Sequence, residues 1–358
     1  MIHCVFPAGI RGTLRRVPER STIARRLRAQ GLTGPAARSV EAVVGRLLAV
    51  QAQDPRGARL AVRARSTGLR AADVDAALTE RRSLVVAWLN RGTLHLVGAD
   101  DYWWLRALTT PQLATASRRR LAQEGVNPAQ TRRGIEVVMG AVRTDGPQTR
   151  AQLRARLDDT GVPTARQALV HVLLAASLQD DLVRGPMVAG EQAFVSASAW
   201  LGAPPTVPAR DGALERLGRR YLEGHDPADA RDLAKWAGIT LGDARTALQG
   251  ETVVRPRAAR GLGRPRLLGA FDPLLLGWAS RDDFVGEHRL VTVNGLFRPF
   301  ALVDGRAVAT WSLSSGALTV RLLERVDDRA VDALRRDAAD VLRFLDLPRE
   351  TTVAFTRR

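Results

Sequence analysis

One layout returns along this 358-residue chain and narrows its possible folds more than any single motif does: amphipathic helices, then a short pair of strands near an Arg-Gly dipeptide. In the first occurrence, apolar residues recur at helical spacing over about 21–30, 39–50, 55–67 and 71–80, the rhythm of helices that each bury one face. Leu84 to Leu89 then leads through Arg91-Gly92 into the alternating segment Thr93-Leu-His-Leu-Val97. Helices closed by a small hairpin of this kind make a winged helix. After an Arg-rich stretch at 110–134, which suits a wet helix face or a phosphate-tracking stripe equally, the plan recurs. A helix capped by Thr149 or Gln148 runs through Leu153 and Leu157, and a second spans Pro163 to Gln179. Asp181-Leu-Val-Arg-Gly185 then enters strands ending at Phe194-Val195. This is an internal structural repeat at low sequence similarity.

The Pro-rich stretch 202–208 is the clearest boundary. Beyond it, Asp226-Pro227 predicts a helix start, Gly238-Ile-Thr240 a turn, and Asp243 to Gln249 the next helix, a helix-turn-helix pattern. A Gly/Pro-punctuated segment carrying Arg255, Arg257, Arg260, Arg264 and Arg266 follows and predicts an extended basic wing. Clustered arginines at a loop tip repel one another unless phosphates lie nearby, so these five are candidate DNA contacts. From about 266 the period changes to two, with segments at 289–293, 299–303, 307–313 and 317–322 separated by Asn294-Gly295, Asp304-Gly305 and Ser315-Gly316. Such dipeptides favour tight hairpin turns. A helix at 328–345 and a strand at 351–356 complete the chain, and Asp272, between Phe271 and Pro273, reads as a turn former in preference to a DNA-facing group. The expected class is α+β: tandem winged-helix units at 21–110, 111–203 and 204–266, after a basic tail at 1–20, and a small C-terminal β-sheet or barrel at 267–358.

Between the second and third predicted helices lies Gln51-Ala-Gln53-Asp54-Pro55. Asp54 followed by Pro55 predicts a helix cap with proline at the first helical position, and the residue before proline avoids the α region. Gln51 and Gln53 therefore sit at a break between helices. There, residues two apart share one side, and two amides form a compact array of donors and acceptors. Alone, such a tripeptide is also the ordinary polar end of a helix. It is followed, however, by Arg91-Gly-Thr-Leu-His-Leu-Val97, by Asp101-Tyr-Trp-Trp-Leu105, and by Trp236-Ala-Gly238, Phe271-Asp272 and Asn294-Gly-Leu-Phe-Arg-Pro299.

This combination resembles the winged-helix DNA glycosylases of the AlkZ/YcaQ type over most of the chain. The resemblance implies a C-shaped DNA-binding concavity, Gln51 and Gln53 as the catalytic pair, and Arg91 and His95 as groups near the lesion. It also implies a monofunctional enzyme that removes purines alkylated at N7 or N3, including bulky or crosslinked adducts, in DNA repair or self-resistance to a genotoxin. Asp54 is a rival base, though its place as a helix cap accounts for it.

Composition limits the alternatives. Lys and Arg total 54 against 37 Asp and Glu, a net charge of +17, which favours a polyanionic partner. No apolar run of membrane-spanning length occurs, and a single cysteine, Cys4, excludes an internal disulfide and disfavours a cysteine-ligated metal or cluster. The expectation is a cytoplasmic, nucleoid-associated monomer acting on double-stranded DNA without cofactor or metal. The competing reading is a non-catalytic winged-helix transcription regulator, which accounts for the charge and the helix-turn-helix but not for the paired glutamines.

Overall fold

The computed structural model describes residues 20–251, 261–292, 295–314, 316–348 and 350–357. Helix α1 (Arg20–Ala29) is followed by α2 (Val40–Leu47), whose first turn is capped by Ser39 accepting from the Ala42 N–H. The apolar rhythm predicted a helix to residue 50, but α2 ends at Leu47. Leu48 turns the chain at φ 64° and ψ −45°, a conformation a branched side chain rarely adopts, and Ala49–Gln51 forms strand β1. The run Leu47 to Val50 suits either element. Pairing decides it, because Val50 and Gln51 lie opposite Leu96 and His95. Helix α3 (Pro55–Arg65) begins as the sequence predicts, with Asp54 accepting from the Arg56 N–H. Helix α4 (Ala71–Thr79) and strands β2 (Leu84–Leu89) and β3 (Thr93–Gly98) complete the first repeat.

The second repeat contains α5 (Ala99–Thr109), α6 (Leu113–Gln123), α7 (Pro128–Thr144), α8 (Arg150–Asp159), α9 (Ala168–Gln179), β4 (Leu182–Val188), β5 (Glu191–Ser196) and α10 (Ala197–Leu201). Its hairpin is not a separate wing. β4 pairs with β2 at Val86 and Arg184, giving one sheet of order β1-β3-β2-β4-β5. Each hairpin thereby covers an edge the other would leave open. On one face, Val50, Val86, Trp88, Leu96 and Phe194 pack under α7 and α9. On the other, Ala49, Ala87, Val97 and Val183 join a core that continues into the third repeat. The boundaries expected at 110 and 203 therefore cut through shared cores.

That third repeat consists of α11 (Arg210–His225), α12 (Ala230–Ala237) and α13 (Leu241–Leu248). Gly238, at φ 70°, makes the turn between the last two, and Thr240 caps α13 by accepting from the Asp243 N–H. α12 is capped by Asp229, so it begins later than Asp226-Pro227 suggested. The segment 252–260, with Arg255, Arg257 and Arg260, lies outside the described residues.

The C-terminal sheet begins one residue before its predicted boundary, with β6 (Arg266–Leu268). Helix α14 (Asp282–Val285), strands β7 (Phe300–Val303), β8 (Arg306–Ser314) and β9 (Ala317–Leu322), helix α15 (Asp328–Phe344) and β10 (Thr352–Arg357) follow. The order β10-β9-β8-β7-β6 is an open sheet, and β10 runs parallel to β9. Of the strand predicted at 289–293, the described residues 289–292 show one bridge, Val291 to Phe297, and residue 293 lies outside the described residues. α1 is packed here too, with Ile23 and Leu27 against Trp278, Phe284 and Phe300. Helix α3 ties this sheet to the rest through two buried ion pairs. Arg63 meets Asp337 at 2.8 Å and Arg65 meets Asp272 at 2.8 Å. Asp272 is thus a turn former, accepting from the Leu274 N–H, and also a buried counter-ion that the sequence did not reveal.

Candidate functional site

β1 is an edge strand, and it delivers Gln51 and Gln53 to the end of the sheet nearest α12. Gln51, Ala49, His95 and Ala87 share the sheet face turned toward the third repeat. After Gln51 the backbone stays paired for one more residue, the Ala52 N–H donating to the Leu94 carbonyl at 2.7 Å. Asp54 then starts α3. Gln53 falls in this short extended break, where its side chain is exposed while that of Gln51 is buried. The two amides meet: Gln51 Nε2 donates to Gln53 Oε1 at 2.5 Å.

A third residue orients them. Arg91, at the β2–β3 turn, donates through Nη1 to the carbonyls of Lys235 (2.8 Å) and Trp236 (2.6 Å) at the C-terminal end of α12. Its Nη2 reaches Gln51 Oε1 at 3.5 Å. A guanidinium has donors and no acceptor, so the oxygen of Gln51 must face Arg91. The Gln51 NH₂ group then faces the oxygen of Gln53, and Gln53 is left presenting its own NH₂ group and one carbonyl lone pair outward. The chain of donors runs one way, from cation to exposed amide. Arg91's charge lies against carbonyls at the negative end of a helix, while burial and the nearby Arg281 lower its pKa.

Among the described residues, no acidic or imidazole side chain hydrogen-bonds to the amide pair. His95 is buried, and its pKa is pushed down to about 3, first by burial and then by the charge of Arg91. Its Nδ1 lies 2.9 Å from the Thr93 carbonyl, which makes Nδ1 the protonated nitrogen. A neutral imidazole held inside the sheet is not a surface contact for a phosphate, so His95 moves from candidate DNA group to supporting core. Asp54 is engaged as the cap of α3. Among the described residues, no group of three or more His, Cys, Asp and Glu side chains gathers to hold a metal, and no helix is long and apolar enough to cross a membrane.

The basic-wing candidates separate. Arg264 is exposed. Arg266 is buried in β6, where its Nη1 donates to the Ala64 carbonyl and burial lowers its pKa to about 10. It is buried and fastens the C-terminal sheet to α3, which corrects its reading as a DNA contact. Sequence reasoning missed the partners of Arg91 on α12, which lie 144 and 145 residues away. It also missed Arg281, which stacks 4.9 Å from the ring centre of Phe297; that ring in turn meets Phe271. The phenylalanines stood among the sequence landmarks, but nothing in their spacing marked them as neighbours.

A family model described as DNA glycosylase AlkZ-like matches residues 44–344. The interstrand DNA cross-link repair glycosylase of Streptomyces sahachiroi is 29% identical over 360 residues, covering 90% of this chain and 95% of the relative. The solved structure of the S. sahachiroi DNA glycosylase AlkZ superposes with a TM-score of 0.72 at 24% identity, covering 95% of this chain and 99% of that one.

Proposed function

Because the chain belongs to the AlkZ-like DNA glycosylase family, we propose that it hydrolyses the N-glycosidic bond of purines alkylated at N7 or N3 in duplex DNA, with Gln53 and Gln51 as its catalytic pair. The observation that carries this reading is the one-way relay from Arg91 through Gln51 to the exposed amide of Gln53. Cleavage of such a bond passes through an oxocarbenium-like sugar. An N7- or N3-alkylated purine already carries positive charge and leaves as a neutral base, so general acid help is not needed. What remains is to hold a water beside C1′ and to favour the cationic sugar over the ground state. The free lone pair of the Gln53 carbonyl accepts from that water, and the NH₂ group holds the lesion or its backbone. Water adds to C1′, the C1′–N bond breaks, and the water's second proton passes to solvent.

The S. sahachiroi relative is named for interstrand cross-link repair, and the same chemistry, applied to one purine of a crosslink, unhooks the two strands. Self-resistance to a DNA-alkylating natural product is the physiological setting that fits. A concave face built from the two helix-hairpin repeats and the helix-turn-helix of α12 and α13, engaged by a monomer in the cytoplasm, completes the reading. A transcription regulator would use α12 and α13 equally well, but it gives no reason for an oriented amide pair at a sheet edge.

The test is base release from DNA bearing N7-methylguanine or a nitrogen-mustard crosslink. Gln53→Ala is expected to lower single-turnover excision by about 10²-fold, the usual loss when one preorganised polar group is removed, and Gln51→Ala by somewhat less. DNA affinity should stay within a few-fold. Equal rates in both variants and the parent would remove the pair from the chemistry.

A further inference from the structure

On the opposite face of the same sheet, Arg184 stands without a counter-ion. Val50, Leu96, Val86 and Arg184 form one cross-strand row, so Arg184 lies across the sheet from Gln51. Its guanidinium carbon sits 4.9 Å from the ring centre of Phe194 and 5.5 Å from that of Trp88, and its buried Nε has no hydrogen-bond partner. Among the described residues, no carboxylate lies within ion-pair distance of Arg184. The charged neighbour that acts on it is another cation, Arg150 at the start of α8, and burial lowers its pKa to about 10, which leaves it protonated at neutral pH. A desolvated cation is costly unless something compensates it. Two ring faces do so in part.

The uncompensated side opens into a cavity of about 510 Å³, where Arg56, Arg59, Arg150 and Arg184 outnumber two carboxylates, Glu191 and Asp75, the latter already paired with Arg59. Arg150 and Arg56 are exposed, so the charge is not sealed away. Arg56 also follows Gln53 by only three residues, which puts its backbone within about 11 Å of that of the exposed glutamine. A β-bulge after Arg184 displaces the β4–β5 pairing at Gly185-Pro186, which lets Met187 and the end of the hairpin approach the start of α3. Arg59 Nη2 meets the Met187 sulfur there at 3.6 Å.

We propose that this cavity is a phosphodiester site, in which Arg184 and Arg150, with Arg56 at the rim, hold a DNA backbone phosphate within a few nucleotides of the damaged one. The proposal rests on the glycosylase reading for its ligand and adds the positioning of the strand. A phosphate supplies the missing anion, accepts from the terminal guanidinium nitrogens of Arg184 and bridges it to Arg150. The aromatic floor stacks against the planar guanidinium and limits the directions it can take.

The experiment is a titration of undamaged duplex with the full chain over a range of salt concentrations, followed by excision kinetics on N7-methylguanine DNA. Arg150→Gln and Arg184→Met are each expected to reduce the slope of log affinity against log salt by about 1. The kinetic loss should fall on the DNA concentration for half-saturation more than on the saturating rate. Unchanged slopes in both variants would overturn the site. Arg150 is exposed, so Arg150→Gln decides the matter even if Arg184→Met fails to fold. Failure of the parent protein to release base sinks the glycosylase reading and leaves the salt slopes interpretable; base release with unchanged slopes sinks the cavity alone.

Discussion

The two hairpins of the central sheet look like copies in sequence and are not used as copies. In each, an Arg-Gly pair accompanies the strands, yet Arg91-Gly92 lies at the tip of β2–β3 while Arg184-Gly185 lies inside β4, ahead of a turn made by Ala189-Gly190. At the tip, Arg91 reaches beyond the sheet and spends its donors on two helix-end carbonyls and Gln51. In the strand, Arg184 can reach only across its own face, where it finds two rings and a cavity. A displacement of a few residues within one repeat separates an arginine with three hydrogen-bond acceptors from one that awaits an anion. Short sequence matches between repeats carry residue type, and the register of the strand decides what that type does.

The largest effect is expected where the partnered arginine is removed. Arg91→Met leaves the carbonyls of Lys235 and Trp236 without their donor and frees Gln51 to rotate. Hydrogen bonds to a charged group contribute about 1.5–3 kcal/mol each, and solvent reaches part of this one, so a destabilisation of about 2–3 kcal/mol is the expected total. Excision should fall by about 10²-fold as the amide pair loses its orientation. Urea denaturation and single-turnover rates measure the two losses. If Arg91→Lys restores stability but not rate, the planar fork of the guanidinium, rather than its charge, sets the amide polarity. A full-rate Arg91→Met would dissolve the contrast between the hairpins.

Much of this hairpin was legible beforehand, and the reason it was not wholly so is physical. Asp54-Pro55 announced the start of α3 because capping is local, and Gly238 to Thr240 announced a turn for the same reason. Asp304-Gly305 did likewise for β7–β8, with φ of 48° and 75°. By contrast, Ala49 to Gln51 became a strand through pairing with β3, a partner more than forty residues away that local periodicity cannot register. Arg266 read as a surface charge because basic residues near loops usually are, and only the packing of α3 against β6 buried it. The glutamines were placed by resemblance. Their polarity came from Arg91, whose partners on α12 no local pattern points to.

A smaller difference concerns pH, since His95 lies in the partnered hairpin and no histidine lies in the other. The folded-state pKa of His95, about 3, is below the ordinary 6.5, so the unfolded chain takes up the proton first. Its contribution is complete above about pH 6.5 and is lost as pH falls toward 3. His225, buried and lowered to about 3 by the same cause, adds a second such proton. Unfolding free energies from urea denaturation, measured from pH 7 down to pH 5, should therefore fall, by about 1–2 kcal/mol for each histidine at the lower end. His95→Gln should remove a share of that slope comparable to that of His225, with His171, also lowered by burial, supplying part of the rest. The single-turnover excision rate should stay flat between pH 6 and 8, because His95 is neutral throughout. A rate that tracks a group titrating near 6.5 would return the imidazole to the chemistry.

The smallest expected effect separates the two turns themselves. In β4–β5 the turn residues Ala189 and Gly190 both take positive φ, 50° and 82°, the geometry of a two-residue turn that prefers Asn-Gly. Ala189 is exposed, so Ala189→Asn relieves a left-handed alanine at no packing cost and should stabilise by about 0.5–1 kcal/mol. The saturating excision rate should not change. In β2–β3 the corresponding glycine, Gly92 at φ 78°, places an added Cβ 3.5 Å from Leu113. Gly92→Ala should cost about 1 kcal/mol and lower the excision rate several-fold, because the tip it distorts also carries Arg91. Thermal melts and excision assays on the two variants together give four numbers. The hairpins differ in function only if the rate moves in Gly92→Ala and not in Ala189→Asn.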